Sequence, residues 1–298
     1  MKRTWRLWIA MGTFAGLMLI FCAGAAAQSA QSGQSGQSGQ SGQTSPPAQQ
    51  PAAKDKADTL TLDTPAPPVN AEEDAAYKAF EAIPLTDSGK KTPAGEEFVQ
   101  KYPQSRYLAP VYSTLVKLYL QANEIQKMQD AGEKDVAIAP NDVQTLAILG
   151  QTLPRAWSAS MPNAAVQLDK AEKFSKSAIE LTPTVPKPEG LTDTQFTLAK
   201  NQTLAMAHSG LGLVYFRRGK FDEAIPEFEE ATKVDPSPEI DPVNYYVLAI
   251  AEEKTSHFDA AVAAFTKCAS APGSLQPTCK SGAEQAKKLG ATQLSAPK

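Results

Sequence analysis

Beyond Asn70 the large apolar side chains recur three and four positions apart, and no stretch of useful length alternates apolar with polar. That period belongs to helices with one buried face rather than to strands. The segments read as five helix pairs, the first irregular, followed by a closing helix from about Pro277 to Leu289. One helix should be unusually long. "TDTQFTLAKNQTLAMAHSGLGLVYFRR" opens on a capping box, Thr192 with Gln195, and meets no breaker before Gly219 apart from two packing glycines. Its extra turns are expected to cover the preceding loop, "TPTVPKPEG". The body therefore reads as all-α over 71–289, with a short flexible tail over 290–298.

The clearest order lies in "HSGLGLVYFRRGKFDEAIPEFEEATKVDP", His208 to Pro236. It holds Leu211, Gly212 and Tyr215 as L-G-x2-Y, then Ala224 and Phe228 as A-x3-F, then Ala231 and Pro236. Gly212, Ala224 and Ala231 are small, so two helices can approach closely there. Leu211, Tyr215 and Phe228 are large and fill the space between that pair and its neighbours. Gly219 sits in the turn, and Pro236 ends the second helix. Pro226, one turn into that helix, costs one backbone bond. Glu229 and Lys233 form an i,i+4 pair on a solvated face.

This segment resembles the tetratricopeptide repeat, a unit of roughly 34 residues. Only the leading Trp of that pattern is missing, and His208 stands in its place. The resemblance implies a superhelical solenoid of helical hairpins. Weaker copies flank it. "NYYVLAIAEEKTSHFDAAVAAFTKCASAP" supplies Tyr245, Leu248, Ala249, Phe258, Ala261 and Phe265. An earlier copy matches with Leu115, Tyr119 and Pro140 but has Gly132 where Phe is expected. Another supplies Leu149, Gly150, Ala171, Ala178 and Pro183, split by the insertion "RAWSASMPN" with Trp157. Further upstream, "EEFVQKYPQSRYLAP" resembles a phrase of bacterial envelope tetratricopeptide proteins, including outer-membrane assembly lipoproteins.

The N-terminal part has a different pattern. Lys2, Arg3 and Arg6 precede an uncharged apolar run from Leu7 to Ala27. A basic tip, an apolar run and the small residues Ala25 and Ala27 read as a secretory signal peptide over 1–27. The run is also long enough to remain as an uncleaved anchor. Lipidation of Cys22 is disfavoured by Phe21 directly before it. Residues 28–70 are rich in Gln, Ser and Gly, then Pro, and include the repeated triplet of "QSGQSGQSGQSGQ". Such a segment buries too little apolar surface to fold, so a disordered linker is expected, spanning about 35–40 Å end to end. The triplets serve as a tether or as a tolerated expansion without further role.

Formal net charge is −3, and −6 once the three basic residues of the signal are removed. With no basic patch interleaved with aromatics, nucleic acid is not an expected partner. Two cysteines lie beyond the signal, Cys268 and Cys279. In an exported, oxidising setting they read as a disulfide worth roughly 2–3 kcal/mol, which would pin the closing helix. Two buried thiols packing the same joint are the alternative. The two histidines, His208 and His257, read as structural. The chain has no H-E-x-x-H, C-x-x-C, C-x-x-C-H, G-x-S-x-G or phosphate-binding glycine loop. No enzyme activity, cofactor or metal is therefore expected.

In the family the chain resembles, the first helix of each pair lines a groove that takes a peptide or a partner helix. Carried over, the strongest repeat presents Ser209, Leu213, Phe216 and Arg217, and the next Val243, Tyr246, Ile250 and Lys254. Lys117, Gln121, Gln144 and Gln151 hold the earlier places. Leu213 and Phe216 replace polar residues of the family's carboxylate clamp, which puts that mode in doubt. An apolar peptide or helix anchored by one acidic group suits this set better. That Leu213 and Phe216 instead pack beneath a neighbouring helix stays open. The resulting expectation is a non-enzymatic exported binder of another envelope protein. A membrane-tethered structural component of an envelope assembly is the alternative, and self-association is compatible with either.

Overall fold

A computed structural model describes residues 70–295. The expected signal and nearly all of the linker lie outside the described residues, as do 296–298. Among the described residues the chain is entirely helical: α1 (Ala71–Ala82), α2 (Ser88–Lys101), α3 (Leu108–Gln121), α4 (Ile125–Ile138), α5 (Val143–Ala156), α6 (Ala164–Leu181), α7 (Asp193–Arg217), α8 (Phe221–Val234), α9 (Pro242–Lys254), α10 (Phe258–Ser270) and α11 (Gln276–Ser295), with a 3-10 turn at Thr182–Thr184. The helices pair in chain order, and α11 packs on α10.

Three hairpin turns are built alike. Asn123, Gly219 and Ser256 adopt φ of +58°, +72° and +65° between α3 and α4, α7 and α8, and α9 and α10. After each, the next amide reaches back across the turn. Glu124 donates to the Tyr119 carbonyl at 2.8 Å, Lys220 to Tyr215 at 2.9 Å and His257 to Glu252 at 2.8 Å. The left-handed residue closes the first helix and satisfies its last carbonyls. The second helix then begins at the following position.

The pattern of small and large residues does the packing. Leu211, Ala224, Phe228 and Ala231 are all buried, and Tyr215 packs at the edge of the same core. A Cβ added to Gly212 would lie 3.1 Å from the Phe228 ring, so the glycine makes room for that ring. In the α5–α6 pair the ring's place belongs to Ser175, which precedes Pro183 as Phe228 precedes Pro236. With no ring between them the α5 and α6 backbones close up, a Cβ on Gly150 lying 3.0 Å from the Ser175 amide nitrogen. Helix α7 approaches as well: a Cβ on Gly210 would lie 2.5 Å from the Gly150 carbonyl oxygen. In the α3–α4 pair Gly132 holds that place, and the buried Leu149 of the next pair fills it, 2.8 Å from a Cβ built there.

The capping box at the start of α7 forms in both directions, with the Gln195 amide donating to Thr192 Oγ1 at 3.2 Å and the Thr192 amide to Gln195 Oε1 at 3.0 Å. The added turns of this 25-residue helix do contact the preceding loop. Lys200 donates to the Pro183 carbonyl at 3.0 Å, and Lys187 pairs with Asp193 at 2.5 Å.

Both ends of the stack are tied down. The "YPQSRY" phrase grips α1: Ser105 donates to Glu73 at 2.6 Å, Arg106 to Asp74 at 2.7 Å, and Tyr107 stacks on Tyr77 at 4.0 Å between ring centroids. At the other end Cys268 of α10 and Cys279 of α11 are both fully buried, with Cα atoms 5.8 Å apart and their sulfurs joined. That separation suits a disulfide. The closing helix is longer than its expected end at Leu289, and the expected flexible tail is helical as far as Ser295. Gly290 supplies the reason, because it lets α11 continue across Phe258, whose Cβ is 3.1 Å from a Cβ built at Gly290.

Candidate functional site

The first helices of successive pairs touch one another, α3 with α5, α5 with α7 and α7 with α9, whereas their second helices make at most marginal contact with each other. The line of first helices is therefore the inner, tighter side of the stack. It carries the residues expected to form a groove.

The structure divides that set. Ser209 is fully buried and donates to Asn244 Oδ1 at 2.6 Å. Leu213 is 2% exposed and belongs to the core that holds Phe228 and Leu248. Neither offers surface to a ligand, which corrects the expectation for both. The physical reason is the packing of neighbouring helices, with Asn244 of α9 over Ser209 and the α8–α9 core around Phe228 and Leu248 over Leu213, which covers positions that look inward-facing on a helix taken alone.

Phe216 and Tyr246 are half-buried. Phe216 meets Phe221 edge-on at 5.5 Å between centroids, and Tyr246 meets Phe265 edge-on at 6.2 Å. Burial raises the Tyr246 phenol above its ordinary pKa. Ile250 and Val243 pack partly against the same core, and Lys254 is exposed. Among the earlier residues Lys117 and Gln151 are half-buried, while Gln121 and Gln144 are exposed.

Arg217 stands apart from the other arginines near it. Arg155 pairs with Asp241 at 2.5 Å, joining α5 to the start of α9. Arg218 is held by Asp169 at 2.6 Å and by Glu172. Arg217 has no ion pair or hydrogen bond among the described residues, and its Nε is buried without an acceptor. Its guanidinium instead lies 5.7 Å from the centre of the Trp157 ring. Burial depresses its pKa below the usual arginine value. Trp157 is itself fixed, donating from Nε1 to the Ala164 carbonyl at 2.8 Å and packing on the core around Leu153, Leu168 and Val214. A partly desolvated guanidinium without a counter-charge is costly, and a carboxylate brought to it would form a charge-assisted, two-pronged contact. The insertion that carries Trp157 is evident in the sequence, but its meeting with Arg217 needs the fold.

The histidines are partnered locally: His208 Nδ1 lies 2.7 Å from Glu227, and His257 Nδ1 lies 2.9 Å from Glu252. Among the described residues no group of three or more His, Cys, Asp or Glu could hold a metal, and no helix is long and apolar enough to cross a membrane.

Residues 205–238 match the family model for the tetratricopeptide repeat. No curated protein matches the chain by sequence. Among solved structures, TTC0263, a thermophilic TPR protein of Thermus thermophilus, is 17% identical, with 73% of this chain and 98% of that one covered and a TM-score of 0.41. PilW, described as a widely conserved type IV pilus biogenesis factor, is 12% identical over 76% of this chain and 96% of its own, with a TM-score of 0.45. MamA protein is 19% identical over 66% of this chain and 85% of its own, with a TM-score of 0.42.

Proposed function

We propose that this chain, whose residues 205–238 match the tetratricopeptide-repeat model, is an exported, non-enzymatic adaptor that binds a partner protein in the cell envelope. The observation that carries this reading is the unpaired Arg217 set beside Trp157, with half-buried Phe216 and Tyr246 as separate aromatic surface on α7 and α9. Aromatic surface next to a cation without a counter-charge suits an apolar helix or peptide that brings one acidic side chain. Ile250 and Lys254 of α9 are the remaining partly or fully exposed candidates. Export rests on the basic tip and apolar run of residues 1–27, and the Cys268–Cys279 bridge suits an oxidising compartment. The uncharged run from Leu7 to Ala27 is also long enough for the alternative reading, a structural component tethered to the membrane by that segment.

In-cell crosslinking and capture of the full-length protein, beside a Phe216→Ala, Arg217→Glu, Tyr246→Ala variant, tests the binding surface. One dominant partner that the folded variant no longer captures is the expected result. Identical capture by both forms would remove this surface from consideration. Fractionation of the same cells separates the soluble adaptor from the tethered component.

A further inference from the structure

Asp135 is a fully buried carboxylic acid near the end of α4. It stands five residues before Pro140, where the α5–α6 and α7–α8 pairs have Ala178 and Ala231 before Pro183 and Pro236. A carboxyl group thus replaces a small apolar packing residue. One of its oxygens accepts from Thr145 Oγ1 of α5 at 2.6 Å. The other, Oδ1, is buried with no donor. A second carboxyl converges on the same residue, Thr145: Asp142 caps α5 by accepting from the amides of Gln144 at 3.0 Å and Thr145 at 3.1 Å. An acceptor facing an acceptor in a dry site is repulsive unless one of them carries a proton.

We propose that Asp135 and Asp142 share one proton and act as a pH-dependent latch between the second and third helix pairs. Asp142, already satisfied by two backbone amides, stays ionised; Asp135 carries the proton on Oδ1 and donates it to Asp142. Loss of that proton sets two negative charges in the seam between α4 and α5. That seam is thin, because α4 and α5 meet over far less surface than α5 does with α7. The proton therefore bears on a joint otherwise held by the Leu149 contact at Gly132 and by the Lys170–Glu133 ion pair.

The surrounding groups support this assignment. Burial, and then the charge of Asp142, push Asp135 up to about 7, against the opposing effects of Thr145 and Lys117. Burial acts on Asp142 as well, but the Thr145 amide, the Ser113 hydroxyl, the Asp135 carboxyl and Lys117 together hold it below the usual carboxylate range. Lys117 and Ser113 belong to α3, so all three helices at the joint contribute. An acid whose folded pKa is raised contributes stability that is complete below its unfolded value and lost as pH rises through the folded value. The latch is closed in mild acid and open above neutral pH, and the change falls between about pH 4 and pH 7.

Thermal melts of the full chain from pH 5 to pH 8.5 test it, together with amide exchange of the α4–α5 segment corrected for the intrinsic pH effect. The wild type should lose roughly 5 °C or more between these limits, with exchange rising at α4–α5 ahead of α9–α10. Asp135→Asn keeps a donor for Asp142 without a titrating group, so its melts should flatten across the range. Should that variant fail to fold, Asp142→Asn preserves the capping oxygen and removes the second charge, and the wild-type transition should move to lower pH. A wild type whose melting and exchange at α4–α5 do not change over this range, or a folded variant whose pH profile runs parallel to the wild type, overturns the proposal.

Discussion

The ring of Phe228 occupies the space that a side chain at Gly212 would need. Phe228 is fully buried, so the pair sets how closely α7 and α8 approach. Gly212→Ala should cost about 1–3 kcal/mol through overpacking, and Phe228→Ala about 3–5 kcal/mol through the cavity left behind. Because the two residues are in contact, the double variant should differ from the sum of the singles. Urea unfolding of the four proteins measures all three values.

Gly210→Ala should be worse than Gly212→Ala. The new methyl meets the backbone carbonyl of Gly150, which cannot rotate aside as a ring can. The expected cost is at the upper end of about 1–3 kcal/mol or beyond it. A Gly210→Ala protein as stable as the wild type would mean that α5 and α7 stand further apart than described.

Ser256 holds the left-handed turn position that Gly219 holds in the preceding hairpin. A Cβ is disfavoured there by about 1–2 kcal/mol, while glycine adds entropy to the unfolded chain. Ser256→Gly should therefore stabilise by roughly 0.5–1 kcal/mol. Gly219→Ala should destabilise by about 1–2 kcal/mol, although no atom crowds its Cβ. Paired thermal melts distinguish this conformational effect from packing.

Reduction should loosen the C-terminal end first. Opening a loop as short as that from Cys268 to Cys279 removes about 2–3 kcal/mol from the oxidised protein. A Cys268→Ala, Cys279→Ala variant should melt at the temperature of the reduced wild type, within the effect of two lost sulfurs. Melting that is indifferent to reductant would show that the thiols pack unbridged.

The repeat was legible because its determinants are local in sequence. Leu211, Gly212, Tyr215, Ala224 and Phe228 sit at fixed spacing, and the structure buries or packs each of them. The long α7 was legible for the same reason, through Thr192 and Gln195. What was hidden depends on neighbouring pairs. Ser209 and Leu213 face the inner side of α7, and only the approach of α5 and α9 shows that this side is covered there. Arg217 reads as one of two adjacent arginines, yet Arg218 finds two carboxylates on α6 and Arg217 finds none. Gly132 reads as a departure from the pattern, and Ser175 holds the same place in the next pair; each is matched by a change across the helix interface, Leu149 for Gly132 and Gly150 with Gly210 for Ser175.

The covalent joint between α10 and α11 gives the stack a mechanical polarity. In a linear array each unit leans on its neighbours, so opening normally begins by fraying at either end. Here the C-terminal end is stapled through Cys268 and Cys279, whereas α1 is held without a covalent tie, by buried Phe80, a tyrosine stack and polar contacts. Tension or proteolysis should therefore peel the molecule from α1 inward, leaving the repeat of α7 and α8 among the last elements to come apart.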